Sequence, residues 1–421
     1  MAGSKGKGSV TSMVASILEA QGLKAARYMS PHVSDFRERV SLGNSFFDED
    51  VYCVAGDELR DLVENRLPVA KIALFDPATE EGEAPTYFEL LTLFYFLCAR
   101  AGNCDVMVVE TGMGGRLDCT NVVMPLVSAI TLIELEHTEW LGNTIAAIAG
   151  EKAGIIKTGR PVVLARQKAE ALEVFQKRAA ERNSPLFYFP EIASVENIGL
   201  HPRGTDFSLV FNGRGVAQKP QSLELSIPIP GIVQAENAGI AVSAVKTAFP
   251  DIGDDKIRQG LERAKTPARF EKIAEDPPFV LDGAHTPESV SLCVETFCSL
   301  YGEGGLLLFS CAADKNVVAM AELLLPRFSQ VIVTTPGNVR SSNPDEIFRA
   351  FSSGCAGLGA SKTTFVRDTA AATRQTLELS RGKGIPVLCT GSFYLAAEVR
   401  GKVLAMGKTC CVNQKSSQYR M

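Results

Sequence analysis

The segment Gly3-Ser4-Lys5-Gly6-Lys7-Gly8-Ser9 combines three glycines with two lysines and ends directly before a helical pattern at Val10–Gln21. Small residues allow backbone N–H groups to approach phosphate oxygens, and Lys7 adds a compact positive charge. The hydroxyl of Ser9 is a suitable ligand for Mg²⁺, and the helix contributes the positive end of its dipole. The segment therefore predicts a phosphate-binding loop.

Two positions depart from the general phosphate-loop motif. That motif has glycine at its first position and serine or threonine directly after the lysine, whereas Met1 and Gly8 stand there. A flexible segment that contains lysine is the alternative. A strand normally anchors such a loop beneath the helix. Too few residues precede Gly3 to form one, so we expect the first strand to be missing from the chain as written, with a misplaced loop and little ATP turnover.

Short apolar runs alternate with helix-length amphipathic stretches, which favours an α/β fold with largely parallel sheets. We expect two domains, an ATP-binding domain over 1–268 and a smaller doubly wound domain over 269–421, with a small antiparallel β insertion at about 183–229. The predicted strands are Val106–Glu110, Val127–Leu132 and Pro161–Ala165 in the first domain, and Phe279–Leu281, Gly305–Ser310, Val331–Thr335, Thr364–Val366 and Pro386–Thr390 in the second.

Composition excludes several classes of protein. The 421 residues carry a net charge of −5 and no basic block, which argues against binding to nucleic acid or an anionic membrane through bulk charge. The longest apolar run, near Leu90–Ala99, is too short to span a bilayer. The eleven cysteines include no CxxC pair, which indicates reduced thiols of a cytoplasmic protein rather than a disulfide framework.

Three polar residues follow predicted buried strands, at the edge where α/β sheets bind ligands. They are Glu110, His137 and Asp282. A buried carboxylate is costly unless it is paired or bound to a metal, so Glu110 is a candidate metal ligand. The alternatives are a strand-end acid that faces water, a structural histidine and an aspartate that caps a helix.

The order of motifs resembles the Mur ligase superfamily, and within it the folylpolyglutamate and dihydrofolate synthases. The resemblance covers roughly Gly3–Arg400. Besides the glycine-rich segment, its motifs are Met29-Ser30-Pro31-His32, Pro85-Thr86-Tyr87-Phe88-Glu89, Glu110 to Asn121, Glu136-His137-Thr138, Glu151-Lys152-Ala153-Gly154-Ile155, Gln234 with Asn237, Pro267-Ala268-Arg269-Phe270-Glu271, Asp282-Gly283-Ala284-His285, Ala313-Asp314-Lys315 and Gly391-Ser392-Phe393-Tyr394.

The resemblance implies a fold and an activity. The fold is a Mur-ligase-type ATPase domain with a Rossmann-like C-terminal domain that closes over it. The activity is amide formation between L-glutamate and dihydropteroate, folate polyglutamates or both, in which ATP converts the carboxylate into an acyl phosphate. ATP and two Mg²⁺ ions are the implied cofactors, a monovalent cation is a further candidate, and a monomer is expected. The alternatives are a UDP-muramoyl-type ligase and a non-catalytic nucleotide-binding protein.

The resemblance also implies roles for individual residues. Lys7, His137 and Lys152 are catalytic, with Lys152 a candidate for carbamylation, while His32 supports the metal site and Lys315 positions glutamate or the closed interface. The Mg²⁺ ligands are Ser9, Ser30, Glu110 and His137. ATP contacts Gly3, Ser4, Gly6, Lys7, Gly8, Ser9, Asn237, Arg269, Asp282 and His285. The pterin or folate contacts Thr86, Tyr87, Phe88, Glu89, Leu117, Asp118 and Cys119.

Taken alone, these residues allow other interpretations. Tyr87 and Phe88 would first be placed in a core, and a helix lysine such as Lys152 is normally solvated. The chain also departs from the pattern of its relatives, which commonly have aspartate at Glu136 and glycine at Ala268. The sequence therefore leaves the role of Glu136 open.

Overall fold

The computed structural model describes residues 1–66, 85–217, 219–336, 341–353 and 361–417, the last twelve of these by backbone alone. Within these ranges the fold is a mixed α/β fold with two domains, as predicted. No helix in the described ranges is both long and apolar enough to cross a bilayer. Every cysteine whose side chain is described is a free thiol.

The first domain contains two three-stranded sheets. One sheet has the order β2-β1-β3 and the other the order β4-β5-β6. Its strands and helices, in chain order, are α1 (Lys7–Ala20), β1 (Ala25–Tyr28), β2 (Val40–Leu42), α2 (Glu49–Asp61), α3 (Tyr87–Ala101), β3 (Val106–Val109), β4 (Ser128–Ile130), α4 (Thr138–Leu141), α5 (Ile145–Lys152), β5 (Val162–Leu164), α6 (Ala169–Glu181), β6 (Leu186–Tyr188) and α7 (Phe189–Ile192).

Met1 and Ala2 connect these two sheets. Thr111 N donates to Met1 O at 2.9 Å on the β3 side, and Ala2 N donates to Ala129 O at 3.0 Å on the β4 side. Ala2 also pairs in parallel with Ile130. The glycine-rich loop follows this connection directly, beyond the ends of β3 and β4, and the expected low ATP turnover stays a prediction.

The antiparallel insertion begins later than predicted. Its strands are β7 (Ala193–His201), β8 (Gly204–Asn212) and β9 (Pro220–Ile227). The sequence from Asn183 to Ile192 belongs instead to the first domain, where β6 pairs in parallel with β5. Three residues are too few to show a period, and the prolines on either side, Pro185 and Pro190, resembled the turns of the insertion. Two helices follow, α8 (Ile232–Ala248) and α9 (Asp254–Arg263).

The C-terminal domain has a six-stranded sheet rather than the five strands predicted. The order is β10-β11-β15-β12-β13-β14, parallel except for the edge pair β10 and β11. The bounds are β10 (Glu271–Glu275), β11 (Pro278–Leu281), α10 (Pro287–Tyr301), β12 (Gly305–Phe309), α11 (Val317–Leu324), β13 (Phe328–Val333), α12 (Pro344–Ser353), β14 (Thr363–Phe365), α13 (Thr369–Lys383), β15 (Val387–Thr390) and α14 (Phe393–Ser417).

Alternate residues of these strands face two different apolar layers. Leu307 and Phe309 of β12 pack in the cluster that contains α10, α11 and α12, whereas Leu306 and Leu308 pack in the cluster that contains α13 and α14. This is the period of two expected for a strand covered on both faces. Helices on both faces leave the carboxyl edge of the sheet open, and that edge carries Asp282 toward the first domain.

Candidate functional site

The glycine-rich loop ends in an uncapped helix N-terminus. Helix α1 begins at Lys7, Gly6 precedes it with φ 88°, and no side chain of the described residues caps it. The first-turn N–H groups have no partner within a helix, so they form a site for an anion together with the helix dipole. The N–H groups of Ser4 and Lys5 instead donate to Leu132 O. These two N–H groups are therefore occupied within the protein, and the contact of Ser4 with ATP stays a prediction.

Asn237 and Lys7 lie against the same loop. A Cβ on Gly6 would overlap the side-chain amide of Asn237, so glycine is required both for the left-handed backbone and for this approach. Lys7 Nζ donates to Gly3 O at 2.8 Å, which curls the side chain back over the loop. The structure therefore brings the predicted nucleotide contact on α8 to the predicted phosphate loop.

Glu110 lies directly beneath the start of α1. Only 4% of the residue is exposed, and a Cβ on Gly8 would lie 3.6 Å from Glu110 Oε2. Ser30 N donates to the same oxygen at 3.4 Å. Burial raises the pKa of Glu110 above its ordinary value, and the positive charges of Lys7 and Arg269 oppose that rise. The carboxylate is buried without a direct cation among the described residues, which leaves it short of positive charge.

These donors suit Mg²⁺. The Ser9 hydroxyl is buried and has no hydrogen-bond partner among the described residues. A buried carboxylate and an unpartnered hydroxyl are oxygen ligands of the kind that Mg²⁺ prefers. Within the described ranges no three His, Cys, Asp or Glu side chains converge as a metal cage.

Lys152 is buried at the end of α5, with 1% of the residue exposed. Its Nζ donates to Gly3 O at 2.9 Å and to Glu136 Oε1 at 3.0 Å. The pKa of Lys152 is lowered to about 8, mainly by burial and also by the charge of Lys7, while Glu136 opposes both. The solvated helix lysine is therefore the wrong interpretation, because this amine lies against the phosphate loop.

His137 stands between the sheet edge and α4. Its φ of 49° is left-handed, and it occupies the residue that precedes the helix. Burial lowers its pKa, Glu136 opposes this shift, and Lys7, Lys152 and Lys315 lower the pKa further. A lowered pKa favours the neutral imidazole, the form that can bind a metal. The influence of Lys315 shows that the C-terminal domain lies close by.

The C-terminal domain contributes Arg269, Asp282 and His285. The Arg269 guanidinium lies 4.0 Å from the ring centroid of Phe393, and burial lowers its pKa against the opposing charges of Asp282 and Glu110. Asp282 accepts from Phe270 N at 2.8 Å and from Ala284 N at 2.7 Å. Burial lowers the pKa of His285 to about 4, and Lys5 lowers it too. The three predicted residues therefore meet at the carboxyl edge that faces the first domain.

Phe88, one of the predicted pterin residues, packs directly against Gly112. A Cβ there would overlap the ring of Phe88, which ties the start of α3 to the loop that carries Leu117 and Asp118. Tyr87 and Leu117 are exposed. The polar members have structural partners: Thr86 and Glu89 cap α3 reciprocally, and Asp118 accepts from Met113 N at 3.0 Å. Cys119 is partly buried, and burial raises its pKa.

Some contacts were missed or differ from expectation. Glu136 pairs with Lys152, and Phe393 stacks on Arg269, although neither residue was given such a role. Only the adjacency of Glu136 to His137 marked the first of them in the sequence. His32 Nδ1 accepts from Arg39 Nε at 2.7 Å, so this ring nitrogen is occupied by a protein donor. Trp140, the only tryptophan of the chain, follows His137 on α4 and is three-quarters exposed.

Comparison with known proteins gives two family matches. Residues 61–245 match the Mur ligase middle domain, and residues 268–393 match the Mur ligase glutamate ligase domain. The folylpolyglutamate synthase of Lacticaseibacillus casei is 32% identical over 409 residues, which cover 96% of this chain and 89% of that protein. The dihydrofolate synthase/folylpolyglutamate synthase of Bacillus subtilis is 31% identical over 409 residues, with the same coverage of both chains.

Solved structures agree with these matches. A Mycobacterium tuberculosis folylpolyglutamate synthase complexed with ADP and AMPPCP superposes with a TM-score of 0.83 at 28% identity, covering 96% of this chain and 90% of the other. An FPGS–AMPPCP–folate complex superposes with a TM-score of 0.78 at 30% identity, covering 96% and 89%.

Proposed function

Because the chain belongs to the Mur ligase family of folylpolyglutamate and dihydrofolate synthases, we propose that it is an ATP-dependent ligase that joins L-glutamate to dihydropteroate and to folate polyglutamates. The reaction forms a C–N bond and belongs to folate metabolism. One observation carries the proposal: the phosphate loop contacts Glu110, Lys152 and Asn237. Glu110 lies next to Gly8, Lys152 donates to Gly3 O, and Asn237 of α8 packs against Gly6. A related ligase complexed with AMPPCP and folate supports the same substrates.

The nucleotide is proposed to bind between the two domains. The first-turn amides of α1 and the Lys7 ammonium would neutralise the phosphate oxygens, and Arg269 would reach them from the other domain. Phosphoryl transfer requires mainly positioning and neutralisation of charge, so cations from two directions suit it. Asn237 beside Gly6, together with Asp282 and His285, completes the proposed nucleotide set.

Mg²⁺ is proposed to be held by Ser9, Ser30, Glu110 and His137. When bound, the ion neutralises charge on the phosphates during transfer. Buried Glu110 and the unpartnered hydroxyl of Ser9 support this assignment. A second Mg²⁺ and a monovalent cation remain part of the proposal.

A carbamate on Lys152 is a proposal that the structure supports in one respect. Only the neutral amine reacts with CO₂, and burial lowers the pKa of this amine to about 8. Glu136 stabilises the competing ammonium form. Intact-protein mass spectrometry in bicarbonate buffer tests it, since the carbamate adds the mass of one CO₂ and Lys152→Met cannot acquire it.

The acceptor is proposed to lie near Gly112, against Tyr87 and Phe88, with Leu117, Asp118 and Cys119 on the facing loop and Thr86 and Glu89 at the start of α3. A flat pterin suits an apolar wall with a few fixed polar groups. Transfer of the γ-phosphoryl group to the acceptor carboxylate forms an acyl phosphate, which the amine of glutamate attacks with release of phosphate. Lys315 is proposed to position glutamate. We also propose a cytoplasmic monomer that uses no nucleic acid or membrane.

The test is glutamate-dependent release of ADP, measured with dihydropteroate, with tetrahydrofolate and with neither acceptor. We expect release with each acceptor and none without. Release that needs no acceptor would contradict the ligase function and favour a nucleotide-binding or hydrolytic role. Release only with a UDP-muramoyl substrate would favour the peptidoglycan-type alternative, and release with one folate acceptor alone would refute the dual activity.

A further inference from the structure

We propose that Arg400 is a positioning residue of the ligase, which holds the loop that carries Ser30 and the connection between the domains in one arrangement. The group consists of Ser34, Arg400 and Glu271, and we call it the clamp. Arg400 Nε donates to Glu271 Oε1 at 2.9 Å and Oε2 at 3.0 Å, while Arg400 Nη1 donates to Ser34 Oγ at 3.0 Å. The inference rests on the proposed function for its kinetic consequences, but its geometry does not.

One arm of the clamp leads to the proposed metal site. The segment from Ser30 to Arg39 begins where Ser30 N donates to Glu110. It then crosses to the C-terminal domain, where Val33 is buried in the same apolar cluster as Phe279 and Leu281. Ser34 directly follows Val33 in the chain. The hydrogen bond from Arg400 to Ser34 therefore contacts this segment only four residues after Ser30.

The segment has its own internal support. The Glu38 carboxylate accepts from Val33 N at 2.6 Å and from Ser34 N at 3.1 Å. These bonds fix the turn and leave the Ser34 hydroxyl free to accept from Arg400. A rigid turn transmits the position of Arg400 to Ser30, whereas a flexible turn would not.

The other arm of the clamp leads to the connection between the domains. Ala268 N donates to Glu271 Oε2 at 2.9 Å, and Gly283 N donates to Ala268 O at 2.9 Å. Ala268 and Phe270 have φ values of 53° and 47°, a left-handed conformation that costs free energy in residues other than glycine. Arg269 lies between them, so its direction depends on both left-handed residues being held.

Arginine suits this position better than any other residue. Its planar guanidinium donates to a carboxylate with one edge and to a third oxygen with another, which a lysine ammonium cannot do in a fixed geometry. Arg400 and Glu271 are each about one-quarter exposed, so the pair is partly shielded from water. The clamp thus ties a proposed metal ligand and a proposed phosphate ligand, Ser30 and Arg269, to one side chain of α14.

Hydrogen exchange of the whole chain, without nucleotide, tests the geometry. In Arg400→Gln we expect roughly tenfold faster amide exchange in peptides that cover 32–38 and 268–272, with exchange in β12 unchanged. The matched control is Arg327→Gln, which removes the surface pair with Glu303 from the same domain. Unchanged exchange at both segments, or faster exchange throughout the domain, would overturn the proposal.

Kinetics test the consequence. We expect Arg400→Gln to lower kcat/KM for ATP roughly tenfold through kcat and KM together, because domain-connection residues commonly affect both. Arg400→Lys should recover part of this loss, and Ser34→Ala should add less in the Arg400→Gln background than alone. Full additivity would contradict a shared role. If the wild-type chain shows no ligase activity, the proposed function fails, while the exchange result still decides the clamp.

Discussion

Glu110 carries a carboxylate into a site where burial raises its pKa above the ordinary value of 4.5. The folded state therefore retains a proton at a pH where the unfolded chain has already released it. Stability falls as pH rises from 4.5 through the raised pKa, and above that range the full penalty of a buried charge remains. A residue kept at such a cost is typical of a functional site.

Glu110→Gln should therefore separate activity from stability. We expect kcat/KM to fall at least roughly 100-fold, since removing a preorganised charge from phosphoryl transfer costs about 3 kcal/mol. The free energy of unfolding should rise, and the gain over wild type should increase as pH rises above 4.5. Urea unfolding between pH 4 and pH 8 measures this. Glu322→Gln, at an exposed glutamate of α11, is the control, and a pH-independent difference for Glu110→Gln would contradict the burial argument.

Single residues also mark the limit of inference from sequence. Glu110 could be placed at a strand end because the apolar run Val106–Val109 precedes it. The contact of Lys152 with both Gly3 and Glu136 could not be predicted, because it depends on how α5 packs against the phosphate loop. Spacing along one helix says which face a lysine is on, and says nothing about which distant carbonyl that face meets.

The glycines at the two ends of α1 allow a second prediction, which concerns the whole helix rather than one side chain. Gly6 and Gly22 precede and follow α1 with φ values of 88° and 95°. A side chain at Gly22 would meet nothing within 4 Å, whereas one at Gly6 would overlap Asn237. Each alanine substitution should cost about 1–2 kcal/mol of unfolding free energy through the left-handed backbone.

Only Gly6→Ala should also raise the KM for ATP, because only this substitution displaces Asn237 from the proposed nucleotide site. Urea unfolding and initial-rate kinetics on both variants provide the comparison. An equal KM for ATP in the two variants would show that Asn237 does not contact the nucleotide.

The start of α3 gives a third prediction. Thr86 Oγ1 accepts from Glu89 N at 3.2 Å, and Glu89 Oε2 accepts from Thr86 N at 2.7 Å, which forms a capping box. Thr86→Ala should lower the free energy of unfolding by about 1 kcal/mol, while Thr86→Ser should leave it almost unchanged. Thermal unfolding measures both. A loss in Thr86→Ser as large as that in Thr86→Ala would show that the methyl group, not the cap, is what matters.

Across the whole molecule, apolar strands were easier to predict from the sequence than polar strands at sheet edges. Gly305–Phe309 is a continuous apolar run and all five residues are buried, which is the pattern of a strand covered on both faces. Val106–Val109 also forms the predicted strand, but only Val108 is buried and Met107 is exposed, so the expectation of a fully buried strand was wrong there. Glu271–Glu275 was missed because it is polar and lies at the edge of its sheet, where only the hydrogen bonds to β11 identify it as a strand. The insertion boundary was misplaced for a related reason, since β6 has only three residues.

The two domains should unfold more cooperatively when nucleotide joins them. A ligand of the folded state at 100 times its Kd stabilises that state by about 2.7 kcal/mol. We expect Mg·AMPPCP at a fixed concentration to raise the Tm of wild type and to raise that of Arg269→Met less, because Arg269 is proposed to reach the phosphates from the second domain. Arg178→Gln, a surface pair on α6, should respond like wild type. An unchanged Tm shift in Arg269→Met would remove Arg269 from the nucleotide site.

Trp140 gives the protein a single source of tryptophan fluorescence. It is the only indole in the chain, its ring is largely exposed, and it stands three residues after His137 on α4. All tryptophan emission therefore reports on one point beside the site, free of overlapping signals from elsewhere. Pterins absorb in the region where tryptophan emits, so an acceptor bound nearby would quench this emission. We therefore expect binding of the proposed acceptor to lower the fluorescence of the unlabelled protein before any turnover takes place.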